Sequence, residues 1–251
     1  MPLPVRRTGN PGLNEKTFAR LPRPAIGIEG MTLKGTIDRS FLLLVVLLVA
    51  ALWPWSQMAG GDVQAASSTM MVGLIGGFVL ALIISFKATL APYLAVPYAA
   101  LEGLVVGGLS AILEQRYPGI AIQAVGLTFG VLAVLLFAYR MHWIRATAKF
   151  RAMVIGATGG IALLYLATMV LGFFHIAVPV LNAATPLGIG ISLVIVGVAA
   201  LNLVLDFDLI ERGVAGGAPK YMEWYAAFGL MVTLVWLYIE MLRLLSKVRR
   251  D

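Results

Sequence analysis

Seven long apolar blocks constrain this chain more than any other feature, at about residues 39–56, 69–87, 93–113, 120–139, 152–175, 187–206 and 222–244, each 18 to 24 residues long. A helix rises 1.5 Å per residue, so about 20 residues cross the roughly 30 Å of hydrocarbon in a bilayer. Every block is long enough. Backbone N–H and C=O groups in lipid must be satisfied within the protein, which leaves helices or a closed barrel, and the short alternating strands of a barrel are absent from the sequence. The pattern predicts an all-α polytopic membrane protein, a bundle of seven transmembrane helices.

Composition agrees. Sixty per cent of the 251 residues are hydrophobic and only 12% are charged, against roughly 25% charged in soluble domains. With no cysteine in the chain, a disulfide scaffold, a thiolate metal site and a cysteine nucleophile are all excluded. The first apolar run starts near Phe41, behind a long polar and mixed stretch, so it reads as a permanent span and not as a signal peptide. Residues 1–36 hold Pro2, Pro4, Pro11, Pro22 and Pro24 with scattered basic residues and no core-forming period. They are expected to form a partly disordered tail, with residues 37–251 as the transmembrane domain. Turn and interface residues punctuate the blocks: Trp53-Pro54-Trp55, Pro92, Tyr117-Pro118-Gly119 and Pro186.

The net charge of +7 need not mean nucleic acid, because basic residues set membrane topology. With the amino terminus cytoplasmic, fourteen of the nineteen basic residues fall on the inside. They are Arg6, Arg7, Lys16, Arg20, Arg23, Lys34, Arg39, Lys87, Arg140, Arg145, Lys149, Arg151, Arg212 and Lys220. Arg116 alone lies outside before the last block. Arg243, Lys247, Arg249 and Arg250 break the pattern, so the seventh block either crosses against its charge or returns as a re-entrant helix. The expected partners are lipid and other membrane proteins, not nucleic acid.

Ionisable groups within apolar blocks are costly and need a reason. Glu102 lies ten residues into its block, about 15 Å deep. It is either a neutral carboxyl bonded to a neighbouring helix or part of an ion or proton site. Asp206 and Asp208 end the sixth block, with Glu211 and Arg212 close behind; about 200° of helix rotation separates the two aspartates, so they cannot both face one pore. Glu223 and Glu240 lie towards the two ends of the seventh block. Carboxylates without histidine or thiolate companions suit a hard cation such as calcium, or protons, and not zinc or copper. Neither a bound cofactor nor a resident metal is expected.

Other candidates are weaker. His142 and His175 belong to no HExxH motif. Ser110 and Ser192 follow Gly-Leu and Gly-Ile but lack the second glycine of a nucleophile elbow, so the chain is not read as an enzyme. Gly103 and Gly107, and Gly156 and Gly160, have the GxxxG spacing that permits close helix approach.

Several stretches resemble the Bax inhibitor family of seven-span membrane proteins, in particular its bacterial branch. These are Asn10-Pro-Gly-Leu-Asn-Glu-Lys-Thr-Phe18, Glu102-Gly103 with Gly107 and Ser110, Gln123-Ala-Val-Gly-Leu-Thr128, Arg145-Ala-Thr-Ala-Lys-Phe-Arg151, and Leu201-Asn-Leu-Val-Leu-Asp-Phe-Asp208. The resemblance implies a bundle enclosing the last span, residence in a bacterial inner membrane and, as in the best understood bacterial relatives, a pH-sensitive calcium leak. There, aspartates on the sixth and seventh spans are thought to share a proton and gate the pore. Asp206 matches the sixth-span aspartate and Glu102 the third-span glutamate. The seventh span departs: the register of the partner aspartate falls close to Thr233, with Glu240 and Glu223 the only acids available. A hydroxyl cannot share a proton as a carboxylate dyad does. The leading expectation is a calcium leak with Glu102 lining the path and Asp206 sensing protons at its mouth. The alternative is a non-conducting regulator that restrains a membrane protease or another membrane complex.

Overall fold

In a computed structural model of the protein, residues 30–174 and 183–250 are described. They form seven helices long and apolar enough to span a membrane: α1 (Leu33–Ala59), α2 (Val63–Phe86), α3 (Ala91–Arg116), α4 (Ile120–Arg140), α5 (Ala148–Phe173), α6 (Pro186–Ala215) and α7 (Met222–Val248). A short 3-10 turn, Ala88–Leu90, links α2 to α3. The expected tail up to residue 29 and His175 lie outside the described residues.

Each helix overruns its apolar block, because the polar turns that leave the hydrocarbon stay helical and are capped. Thr32, Asp62, Thr147 and Thr185 each accept a hydrogen bond from an orphan N–H in the first turn of α1, α2, α5 and α6. Asp62 thus starts α2 six residues before its apolar block. Helix α6 runs nine residues past its block and carries Asp206, Asp208 and Glu211 in helix. Pro54, expected to break the chain after the first span, sits inside α1, which continues to Ala59. Tyr117-Pro118-Gly119 does turn the chain, with Gly119 at φ +81°, a left-handed conformation that favours glycine.

The ends of α7 define the two faces of the bundle. At its start, the Met31 N–H donates to Ala218 O at 2.7 Å, and Gly30 bridges Pro219, so the α6–α7 connection lies beside the entry to α1. At its end, Arg249 donates to Pro118 O at 2.8 Å and Arg250 to the Tyr117 hydroxyl at 3.2 Å, beside the α3–α4 turn. The seventh block is therefore one unbroken helix from face to face, and the re-entrant alternative is set aside. Fifteen of its residues are buried. It packs against α1, α3, α4 and α6, the enclosed last span expected from the resemblance. Helix α5 is the opposite case and buries only Val154.

Small residues bring α3 close to its neighbours. A Cβ built on Gly103 would meet Leu47 O and lie 2.8 Å from the Ala50 Cβ, and one on Gly107 would lie 2.6 Å from the Ala51 Cα. Backbone cannot yield as a flexible side chain can, so this GxxxG pair is a packing element. Gly156 and Gly160 share the spacing but have nothing within 4 Å. Replacing Gly107 with Val is expected to lower stability by about 1–3 kcal/mol through overpacking, whereas Gly156→Val leaves it nearly unchanged. Thermal-unfolding midpoints of both variants in detergent check the contrast, and equal losses would contradict it.

Candidate functional site in the helix bundle

Asp206 projects from α6 towards α7, where Thr233 lies within hydrogen-bonding reach of its carboxyl. Its Oδ2 is buried and has no hydrogen-bond partner. The Thr233 hydroxyl also donates to Gly229 O, one turn earlier, at 3.2 Å. The residue that stands in the register of the expected partner aspartate thus does meet Asp206, as a hydroxyl and not a second acid.

Asp208 points elsewhere, as the rotation between the two aspartates requires. Its Oδ2 takes Arg151 of α5 at 2.8 Å and Arg212 at 2.6 Å. Glu211 accepts from the Tyr139 hydroxyl of α4 at 2.5 Å. This ionic layer joins α4, α5 and α6 near the face where α1 begins.

Glu102 is half-buried, hydrogen-bonded to Tyr98 one turn earlier, and close to α2: a Cβ on Gly77 would lie 3.3 Å from its Oε2. The Tyr98 ring packs edge-on against Phe228 of α7, with centroids 4.9 Å apart. Phe228 and Thr233 are five residues apart, about 140° around α7. Helix α7 therefore stands between Glu102 and Asp206, and the structure does not bring the two carboxylates together. An apolar cavity of about 360 Å³ opens between α1, α3, α4 and α7, lined by Leu47, Trp55, Ser110, Thr128 and Tyr238 among others; neither carboxylate borders it.

Glu240 is 1% exposed. Arg243 Nη1 lies 3.0 and 3.1 Å from its two oxygens, and the Tyr165 hydroxyl of α5 donates to Oε1 at 2.7 Å. The Arg243 guanidinium also donates to that hydroxyl and sits 4.9 Å from the centre of the Tyr165 ring. The serines of the Gly-Leu-Ser and Gly-Ile-Ser stretches have other partners: Ser110 Oγ is 2.8 Å from the Tyr238 hydroxyl, and Ser192 Oγ accepts from Lys247 Nζ at 2.6 Å.

Two groupings escaped sequence reasoning because their partners are remote in the chain. Glu223, wholly buried, takes the Thr32 N–H and hydroxyl at 2.8 Å each, Arg39 at 2.5 Å and Lys220 at 3.3 Å. It clamps the start of α1 to α7. Gly35 leaves room for this, since a Cβ there would sit on the Glu223 carboxylate. Glu114 accepts from the Gly119 and Ala121 N–H groups at 2.5 and 3.0 Å and so caps the start of α4. An acid at the end of one helix, just before a Pro-Gly turn, was the available signal for the second.

Seven apolar helices, the last of them largely buried among the others, define a multi-pass helical membrane protein. The chain belongs to the Bax inhibitor 1 like family, whose model matches residues 6–250, nearly its whole length. No curated protein and no solved structure matches it.

Replacing Glu223 with Ala removes the ion pair to Arg39 and leaves the Thr32 N–H and hydroxyl without their acceptor, so a loss of about 3 kcal/mol is expected, the scale of a broken buried charge pair. Gly35→Val should destabilise in the same direction by displacing the carboxylate. Thermal midpoints in detergent measure both, and an unchanged midpoint for either variant would remove the clamp from the account.

Proposed function

We propose that this chain is a pH-responsive cation leak of the Bax inhibitor type, with calcium as the favoured permeant and Asp206 as the proton-sensing carboxylate. The observation that carries the reading is the buried Asp206 carboxyl, one oxygen of which has no partner while Thr233 faces the group from α7. In the charged form it is an acceptor only; protonated, it gains a donor and loses its charge, which changes what it can hold and what can pass. Family membership supports the reading. Thr233 in place of a second acid makes Asp206 a single sensor and not half of a dyad. Glu102, bonded to Tyr98 on the far side of α7, is assigned at most a lining role that does not depend on Asp206. The role is transport and not catalysis, with no cofactor.

The positive-inside rule supports a cytoplasmic amino terminus, since fourteen of nineteen basic residues share that side, and the resemblance to the bacterial branch of the family supports residence in a bacterial inner membrane. A second reading, restraint of a membrane protease or another membrane complex, is favoured by α5: it buries one residue and leaves Gly156, Gly159 and Gly160 open, a surface a partner helix could approach closely.

In proteoliposomes, Asp206→Asn fixes the neutral form, so calcium flux should lose the pH dependence that the parent protein has. A variant with the parent's flux and pH profile would sink the sensing role. Absence of calcium flux from the parent protein at every pH would leave only the second reading.

A further inference from the structure

The polar groups of α5 and α7 recur at one spacing. On α7, Thr233, Glu240 and Lys247 are seven residues apart; on α5, Arg151, Thr158 and Tyr165 are too. Seven residues make about two turns, so each set lies on one stripe of its helix at intervals of about 10.5 Å. Two of the α5 groups meet α6 and one meets α7. Arg151 meets Asp208 at 2.8 Å, Thr158 Oγ1 accepts from Asn202 Nδ2 at 2.8 Å, and Tyr165 meets Glu240 at 2.7 Å. Across α6 and α7, Asp206 meets Thr233, and fourteen residues away on each helix Ser192 meets Lys247. Asp206, Asn202 and Ser192 lie within about 80° of one another around α6, with Asp208 on the other side, so from Asp206 to Ser192 this column extends fourteen residues along α6, about 21 Å of the roughly 30 Å of hydrocarbon.

A column of polar side chains through hydrocarbon is expensive and calls for a use. Its oxygens come from carboxylates and hydroxyls, which suit a hard cation. The outer helix that covers it, α5, buries only Val154 and is joined to the bundle through these polar contacts. At its far end two positive groups are built in. The Arg243 guanidinium sits on both oxygens of Glu240, where a passing cation would bind. Lys247, 2% exposed, is held by Gly188 O at 3.0 Å and by Ser192.

We infer that the α5–α6–α7 column is the cation route of this protein, and that Arg243 and Lys247 are tethered cations that plug it at Glu240 and Ser192. This rests on the leak reading above and places the route away from Glu102. It also accounts for two of the four basic residues that break the positive-inside pattern: they stand in for the permeant ion.

The test is calcium entry into proteoliposomes of phosphatidylethanolamine and phosphatidylglycerol containing a calcium-sensitive dye. Arg243→Gln should raise flux roughly tenfold, the scale of removing one charge-assisted contact that favours the closed state, and adding Glu240→Gln to it should abolish the gain. Tyr165→Phe, which leaves the Glu240–Arg243 pair intact, should give a smaller rise. Arg249→Gln removes the same charge outside the column and should leave flux as it was. If Arg243→Gln does not fold, the cysteine-free background offers a second measurement: Thr233→Cys should react with a water-soluble cationic thiosulfonate added at the face where α1 begins, the unplugged side of Glu240, and calcium should slow the reaction. Flux that responds to Asp206→Asn but not to Arg243→Gln or Tyr165→Phe, or a thiol at 233 that stays unreactive, would overturn the plugged column while leaving the leak. A parent protein and variants that all fail to pass calcium would overturn both.

Discussion

An ionised side chain in hydrocarbon has to be met by protein, and α7 carries Glu223, Glu240, Arg243 and Lys247 along its length. Much of the fold follows from meeting them. Glu223 is answered by Thr32, Arg39 and Lys220, which sets the start of α1 against the start of α7. Glu240 is answered by Arg243 and Tyr165, which brings α5 in. Lys247 is answered by Ser192 and Gly188, which aligns the start of α6 with the end of α7. Apolar packing in lipid gives little preference for one helix neighbour over another, so these directional contacts carry much of the specificity.

Two kinds of attachment divide the bundle. Helices α1, α2 and α3 pack through small residues, with Gly103 and Gly107 against the backbone of α1 and Gly73 against Leu101 O. Such contacts hold one geometry and resist sliding. Helix α5 is held by side-chain tips at Arg151, Thr158 and Tyr165, and its glycines face open space. Polar ties can exchange partners where interlocked backbones cannot. A change of state in this protein is therefore expected on the α5 side of α7, the side that also holds Asp206.

Much of the fold was legible in the chain. Seven spans, their order and the Tyr117-Pro118-Gly119 turn follow from hydropathy and turn chemistry, because a helix in lipid is a local solution to a local constraint. Helix ends were less legible: α2 starts at Val63 and α6 runs to Ala215, since a capped polar turn is helical without being apolar. The two GxxxG pairs look alike in sequence, and only one packs. Of the residues singled out, Asp206 and Thr233 are brought together as the register suggested, while Glu102 is divided from them by α7.

The basic end of α7 marks the boundary between the two levels. By itself the sequence determined that the chain has seven spans, which side gathers positive charge, and which carboxylates lie deep enough to need a partner, because each follows from the cost of placing a residue at a given depth. It could not determine why Arg243, Lys247, Arg249 and Arg250 lie where charge counting disfavours them. Their partners, Glu240 with Tyr165, Ser192, Gln123 and Tyr117, come mostly from helices 55 to 133 residues away. Only tertiary structure decides such pairings, because a side chain's energy in lipid depends on which group another helix sets beside it.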